Sequence, residues 1–415
     1  MKLPSIKALG PGLIWAGASI GVSHLVQSTR AGADFGFQLV WVVVLANLLK
    51  YPFFEFGPRY ASSTGETLVQ AYYRQGKATL WLYFGLTLAT MFSIQAGVTS
   101  VTAGLMGNLF PGLFSQVVWT LLLLSICLIV ILIGKYKTLD NLMKIIVLVL
   151  TLTTLVAFAA ALGKGYHPNP EHLVSFDWNF TQVAFLLALA GWMPSAVDVS
   201  VWHSVWTVAK IKQTGYHPSL KEALFDFNLG YIGTAVMAIF FLSLGALVMY
   251  GSGEVLSANG VEFSGQLIQL YTLNIGNWAY YIIAIAALAT MFSTTLTVLD
   301  AYPRVMCPAT SLLIPKLSGP RQMNYVKLIW FFLLIALSLL LIFVFSNKMR
   351  ALIDLATTLS FITAPVLGYL NLKAVTGKNM PEKNKPGIFL HLLSWIGMIA
   401  LSGFAVYFLI FKFFL

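Results

Sequence analysis

From Gly10-Pro11-Gly12 to Gly36 the chain has the makings of a membrane-crossing helix, yet Gly21-Val22-Ser23-His24 interrupts it with apolar residues on both sides. Non-helical backbone near mid-bilayer is tolerated only where protein or a water-filled cavity satisfies the freed peptide groups. A second break, Gly191-Trp192-Met193-Pro194-Ser195, divides another apolar helix almost halfway along the 415 residues. Two discontinuous helices in corresponding positions of two halves point to the substrate site of a secondary transporter. A five-plus-five inverted repeat follows from the placement of the breaks, since the halves share no evident sequence similarity.

Composition agrees with a bilayer as solvent. The chain is 58% hydrophobic and 9% charged, with a mean hydropathy of +0.82. Apolar windows of roughly 20 residues, enough to span a membrane, fall near 10–29, 37–58, 79–105, 116–134, 141–162, 182–207, 227–250, 277–303, 325–346, 351–372 and 387–411. This predicts an all-α polytopic membrane protein of eleven helices in one transmembrane domain. Residues 1–162 form the first five-helix repeat, 182–372 the second, and 387–415 an additional helix.

The net charge of +11 suggests nucleic acid until its distribution is read. With the N-terminus in the cytoplasm, external segments hold only Arg30, Lys164, Lys348, Arg350 and Lys412, and Lys50 lies within a span. Every other one of the 25 basic residues falls on the cytoplasmic side. That asymmetry is the positive-inside rule, so the basic charge reports topology in a cell inner (plasma) membrane and places the C-terminus outside. No nucleic-acid partner is expected. Cys127 and Cys307 lie too far apart in sequence to suggest a disulfide framework. Residues 1–18 resemble a signal peptide in composition, but the charge pattern needs this helix as a span. The longest external connections are expected near 163–181 and 251–276.

At particular positions the chain resembles the NRAMP family of divalent metal transporters. Gly10-Pro11-Gly12-Leu13, Ala31-Gly32-Ala33-Asp34-Phe35-Gly36, Leu45-Ala46-Asn47-Leu48 and Thr64-Gly65 are similar to the opening of such proteins. Lys137-Thr138-Leu139-Asp140, Met193-Pro194 and Pro365 extend the likeness to the tenth helix. The resemblance implies a LeuT-like fold, alternating access, and a substrate held between helices 1 and 6.

The chemistry departs from that pattern. Typical members carry Asp-Pro-Gly-Asn in the first break, whereas this chain has Gly21, Val22, Ser23 and His24. Their Met-Pro-His becomes Met193-Pro194-Ser195; acids of the third helix become Met91 and Ile94; a Gln of the tenth becomes Thr357. Divalent cations want carboxylate or carbonyl oxygen, so no metal site of the transition-metal type is expected. Half-helix N-termini, Ser23, His24 and Ser195 supply donors suited to a small anion, and Gly21 lets backbone approach it. Divergent relatives have been linked to magnesium and, in one branch, to bicarbonate. Substrate-site candidates are therefore Gly21, Ser23, His24, Met193 and Ser195. The plainer alternatives are that His24 and Ser23 bond unwound backbone and that Met193 fills space.

Helix 8 carries Ser293, Thr294 and Thr297 on neighbouring faces. In sodium-coupled LeuT-fold transporters a similar hydroxyl pair joins carbonyls of helix 1 around sodium, so a bound sodium ion is expected here, against the alternative of helix-packing hydroxyls. Arg30 and Asp198 are second-tier pathway candidates. Arg30 and Asp34 read as interfacial, and His203 joins Asp198 in the inner half of helix 6. Lys50 reads as a snorkelling side chain, and Trp41, Trp81, Trp119 and Trp330 as interfacial anchors.

The expectation is sodium-coupled uptake of a small anion such as bicarbonate by a monomer in the lipid bilayer, with a magnesium or manganese carrier as the alternative. No cofactor beyond that sodium is expected. No nucleophile–base pair supports an enzyme. A channel or ligand sensor is the rival class, separated from a carrier by saturable, gradient-driven uptake.

Overall fold

Runs of apolar residues this long can satisfy their amides in lipid only by hydrogen bonding within helices, and the described part of the chain has helices and no strand. The computed structural model describes residues 8–133, 136–166, 168–345 and 348–414. The first broken helix comprises α1 (Pro11–Ser19), a π-helical turn (Ser23–Ser28) and α2 (Thr29–Phe35). After it come α3 (Val40–Thr64), a short α4 (Leu68–Gln75), α5 (Lys77–Leu109), α6 (Gln116–Ile133) and α7 (Tyr136–Lys164). The second broken helix comprises α8 (Phe180–Gly191) and α9 (Val199–Thr214). The chain then runs through α10 (Leu220–Val248), α11 (Gly260–Ile275), α12 (Tyr280–Leu313), α13 (Pro320–Val344), α14 (Met349–Val375) and α15 (Ile388–Phe414).

Seven described helices, α3, α5, α10 and α12 to α15, are long and apolar enough to cross a membrane. With α6, α7 and the two broken helices they make the eleven spans read from the sequence. The expected connection near 251–276 is more ordered than a loop. Asn259 accepts hydrogen bonds from the amides of Val261 and Glu262, and this cap starts α11, which lies against α5 and α12. Residues 1–7 and the side chains of the Lys137–Asp140 motif lie outside the described residues.

Glycine sets how closely the broken helices are held. A Cβ on Gly12 would stand 2.1 Å from the Asp226 carbonyl oxygen, and one on Gly230 would stand 2.3 Å from the Gly12 carbonyl. Higher up, Gly32 meets Leu242 O at 1.9 Å and Gly245 meets Thr29 O at 2.3 Å by the same measure. Both halves of the first broken helix thus lie backbone to backbone on α10. The second is held the same way, Gly57 of α3 against Ser200 O of α9 (2.2 Å) and Gly191 of α8 against Thr357 O of α14 (2.1 Å). Small residues serve this purpose between helices in lipid. The Asp226 carboxylate adds a charged cap, accepting from the amides of Gly10 (3.0 Å) and Gly12 (2.6 Å) at the start of α1.

Two of the four tryptophans expected at span ends are exposed, Trp41 and Trp81. The other two are buried: Trp119 lies among Ala103 and Leu123, and Trp330 donates its Nε1–H to Thr310 Oγ1 at 3.0 Å. They are packing residues, because their indoles face neighbouring helices.

Gly12→Ala is expected to leave too little folded protein for a monodisperse peak in detergent, whereas Gly85→Ala, with nothing within 4 Å of the added Cβ, keeps wild-type stability. Size-exclusion profiles and melting curves of the pair check this; two equally stable variants would contradict the close contact.

Candidate functional site

The first break falls slightly earlier than the sequence suggests. α1 ends at Ser19, and Ile20 leaves helical geometry with ψ 84°. Gly21 follows because α12 passes close by: a Cβ there would meet Thr294 Cγ2 and Oγ1 at 2.9 Å. The chain re-enters helix at once, with Ser23 and His24 in the first turn of the π-helical segment. Such wide turns often mark functional sites. In the second break, Pro194 cannot donate a ladder hydrogen bond. α8 stops at Gly191, and α9 starts at Val199 with Asp198 as its N-terminal flank.

Between the breaks lies a cavity of about 30 Å³, lined by Ser19, Ser23, Ser195, Trp192, Trp202 and Thr294 among apolar residues that include Ile94. That is room for roughly two water molecules, the scale of an ion of a few atoms. Ser19 Oγ and Trp202 Nε1 are buried and have no hydrogen-bond partner. Neither was singled out in the sequence, where a lone Ser and Trp in a hydrophobic helix carry no signal. No carboxylate is in the lining, and no group of three or more His, Cys, Asp or Glu among the described residues is placed to hold a metal.

The structure brings Ser23 and Ser195 to the cavity and places the other candidates around it. His24 is fully buried, but both ring nitrogens are engaged. Nε2–H donates to Thr234 O of α10 at 2.9 Å, and Nδ1 lies 2.7 Å from Ser23 Oγ. The Ser23 hydroxyl also faces Ser19 O (2.8 Å) and Pro194 O (3.4 Å), joining the two breaks. Gly21 is occupied by its contact with Thr294. Met193 is buried in the apolar core and outside the lining.

Of the helix-8 hydroxyls, Thr294 faces helix 1. Its Oγ1 lies 3.3 Å from Gly17 O, 3.5 Å from Ile20 O and 3.1 Å from Thr290 O. Ser293 Oγ shares the Thr290 carbonyl at 2.8 Å, while Thr297 Oγ1 donates to Ser293 O at 2.7 Å. Asp198 accepts from Thr90 Oγ1 (3.2 Å) and Tyr302 OH (3.4 Å), so hydroxyls hold it in place of a basic neighbour. His203 is buried with neither ring nitrogen hydrogen bonded. Thr357 Oγ1 donates to Ile353 O within its own helix.

Two basic residues are more buried than their sequence positions suggest. Arg30 is 4% exposed and pairs with Asp354 of α14 at 2.7 Å, with Gln27 bonded to both. The pair lines a vestibule of about 420 Å³ with Asp34, Arg350 and Lys412. Lys50 does not snorkel. It is 0% exposed, and its ammonium donates to the carbonyls of Ala190 (2.5 Å) and Gly191 (2.8 Å) at the end of α8.

Paired helix breaks facing one small cavity, within eleven spans, define a membrane transporter of LeuT-like fold. The natural resistance-associated macrophage protein-like (Nramp) family matches residues 12–411, and the chain belongs to it. An uncharacterized protein of Pasteurella multocida is 37% identical over 406 residues, 97% of this chain and 92% of that protein. A divalent metal cation transporter of Listeria welshimeri is 23% identical over 312 residues, 70% of this chain and 65% of that protein. A manganese transporter of Eremococcus coleocola has a solved structure that superposes with a TM-score of 0.72 at 15% identity, covering 96% of this chain and 85% of that one.

His24→Ala leaves the Thr234 carbonyl and Ser23 without their ring partner, a cost of about 1–3 kcal/mol for buried groups. The melting temperature in detergent is expected to fall, and His24→Gln, which retains an N–H for Thr234, to restore part of it. An alanine variant as stable as wild type would contradict the structural role.

Proposed function

We propose that this transporter carries a small inorganic anion, bicarbonate foremost, coupled to sodium, by alternating access around the cavity between α1–α2 and α8–α9. The observation that carries the reading is the cavity lining. Ser19 and Ser195 offer hydroxyls, and Trp202 offers an indole N–H that can only donate. An unpaired donor beside a metal cation is repulsive, whereas beside an oxyanion it forms a hydrogen bond strengthened by charge. The half-helix that begins at Ser23 adds the positive end of its dipole at the cavity, whereas the first amides of α9, Val199 to Trp202, are already bonded to the carbonyls of Ala196, Val197 and Asp198.

Sodium fits the neighbouring oxygen cluster. Gly17, Ile20 and Thr290 carbonyls converge on Thr294 Oγ1, with Ser293 at its edge and Thr297 turned along its own helix. Oxygen-only ligation suits a hard cation, and the carbonyl end of a half-helix is where coupling ions bind in such folds. A sodium there ties α1 to α12 and favours the arrangement in which the cavity is formed. The vestibule, with Arg30, Arg350 and Lys412 against Asp34 and Asp354, gathers anions at its mouth. We take the protein to act as a monomer in the inner (plasma) membrane, and the positive-inside rule puts its N-terminus in the cytoplasm and its C-terminus, like the vestibule, outside.

The second reading is divalent metal transport, favoured by what the Listeria and Eremococcus proteins are named for carrying. It needs Met193 and Asp198 to turn into the cavity, Asp198 leaving Thr90 and Tyr302.

In proteoliposomes, an inward sodium gradient is expected to drive saturable bicarbonate uptake. Ser19→Ala and Trp202→Phe are each expected to weaken it about ten- to a hundredfold, the scale of one hydrogen bond to a charged group. Thr294→Ala is expected to remove the sodium dependence. Manganese or magnesium uptake without bicarbonate uptake would reject the anion reading in favour of the second.

A further inference from the structure

The carbonyl end of a half-helix inside a membrane is an electronegative pole, equivalent to about half a unit of negative charge. Unsatisfied, it attracts cations. α8 ends in this way at Gly191, the residue before Trp192 of the cavity lining. Here the pole is already occupied, because the Lys50 ammonium donates to Ala190 O and Gly191 O. No other hydrogen-bond partner and no ion-pair partner of Lys50 is seen among the described residues. Its whole side chain is withdrawn from solvent. A snorkelling lysine runs its ammonium to the interface; this one is held on the end of a neighbouring helix. Burying an ammonium without a carboxylate is costly, which an ordinary helix C-cap does not require, since Gly or Asn suffices there.

We propose that Lys50 is a tethered cation that fixes the ion selectivity of the transporter. Its ammonium takes the position a carbonyl-bound metal would otherwise hold at the end of α8 and cancels the negative pole there. With that pole cancelled, the positive dipole end of the half-helix that begins at Ser23, a cavity-lining residue, is left to set the sign of the cavity. The proposal rests on the anion reading above and extends it to the charge that enforces it. Met193, two residues beyond the lysine's second acceptor, then has no metal to help bind, which agrees with its place in the apolar core.

The test compares wild type with Lys50→Gln, which keeps an N–H donor for one carbonyl without the charge, and Lys50→Met, which removes both. Proteoliposomes are assayed for bicarbonate and manganese uptake, and each detergent-purified protein is melted with and without manganese. Wild-type bicarbonate uptake is expected to fall about tenfold or more in Lys50→Gln, the scale of a full charge lost at the carbonyl that precedes the lining residue Trp192. Manganese is expected to raise the melting temperature of the variants and leave wild type unchanged. If Lys50→Met does not fold, the glutamine variant carries the test, and if neither folds, Lys50→Arg replaces them: with the charge retained it must keep most of the wild-type bicarbonate uptake, and loss of that uptake in folded protein overturns the proposal. Bicarbonate uptake at wild-type rates in Lys50→Gln, or no manganese response in any neutral variant, overturns the role of Lys50 while leaving the anion reading standing. Manganese uptake by wild type without bicarbonate uptake overturns both.

Discussion

Peptide groups freed at two mid-membrane breaks must find partners without water, and the rest of the structure is arranged around that requirement. At the first break the Ser23 hydroxyl faces Ser19 and Pro194 carbonyls, and His24 holds Ser23 to α10 through Thr234. Thr294 covers the carbonyls of Gly17 and Ile20. At the second break Lys50 covers those of Ala190 and Gly191. Glycine contacts bring the neighbouring helices near enough for these short side chains to reach. Two side chains left without partners, Ser19 and Trp202, belong to the cavity lining.

This division separates residues that hold the site from those free to act in it. A polar residue at membrane depth attracts a functional reading, and His24 invites one. Both its nitrogens are engaged, Nε2 with the Thr234 carbonyl and Nδ1 with the Ser23 hydroxyl, at the π-helical turn that gives the helix a new direction. In the proposed reading, substrate recognition passes to smaller donors. The chain is thus a member of a family matched from residue 12 to 411, whose architecture it keeps while the groups around its centre are of a different kind. Fold alone does not choose a substrate; the charge and hydrogen-bonding sense of the lining must.

Much of the architecture was legible because hydrophobic runs of membrane length and glycine- or proline-marked breaks are local signals. The eleven spans and the second interruption fall where those signals place them, and the first interruption starts slightly earlier, at Ile20. α11 was hidden because its sequence is amphipathic and short, and its start depends on a single Asn cap. Of the candidates read from position beside the breaks or on the hydroxyl face of α12, Ser23, Ser195 and Thr294 line the cavity. Arg30 and Lys50 were misjudged for one shared reason. Their partners, Asp354 and the Ala190–Gly191 carbonyls, are 324 and about 140 residues away in sequence, so only tertiary contact reveals burial of the charge. Ser19 and Trp202 matter for bonds they do not make, which no sequence pattern reports.

The central claim is that the cavity between the breaks recognises an anion by donation. Isothermal titration of the purified protein with bicarbonate and with manganese, each with and without sodium, tests it directly. The account predicts saturable bicarbonate binding that strengthens with sodium, and no heat from manganese. Saturable manganese binding with bicarbonate silent would contradict it.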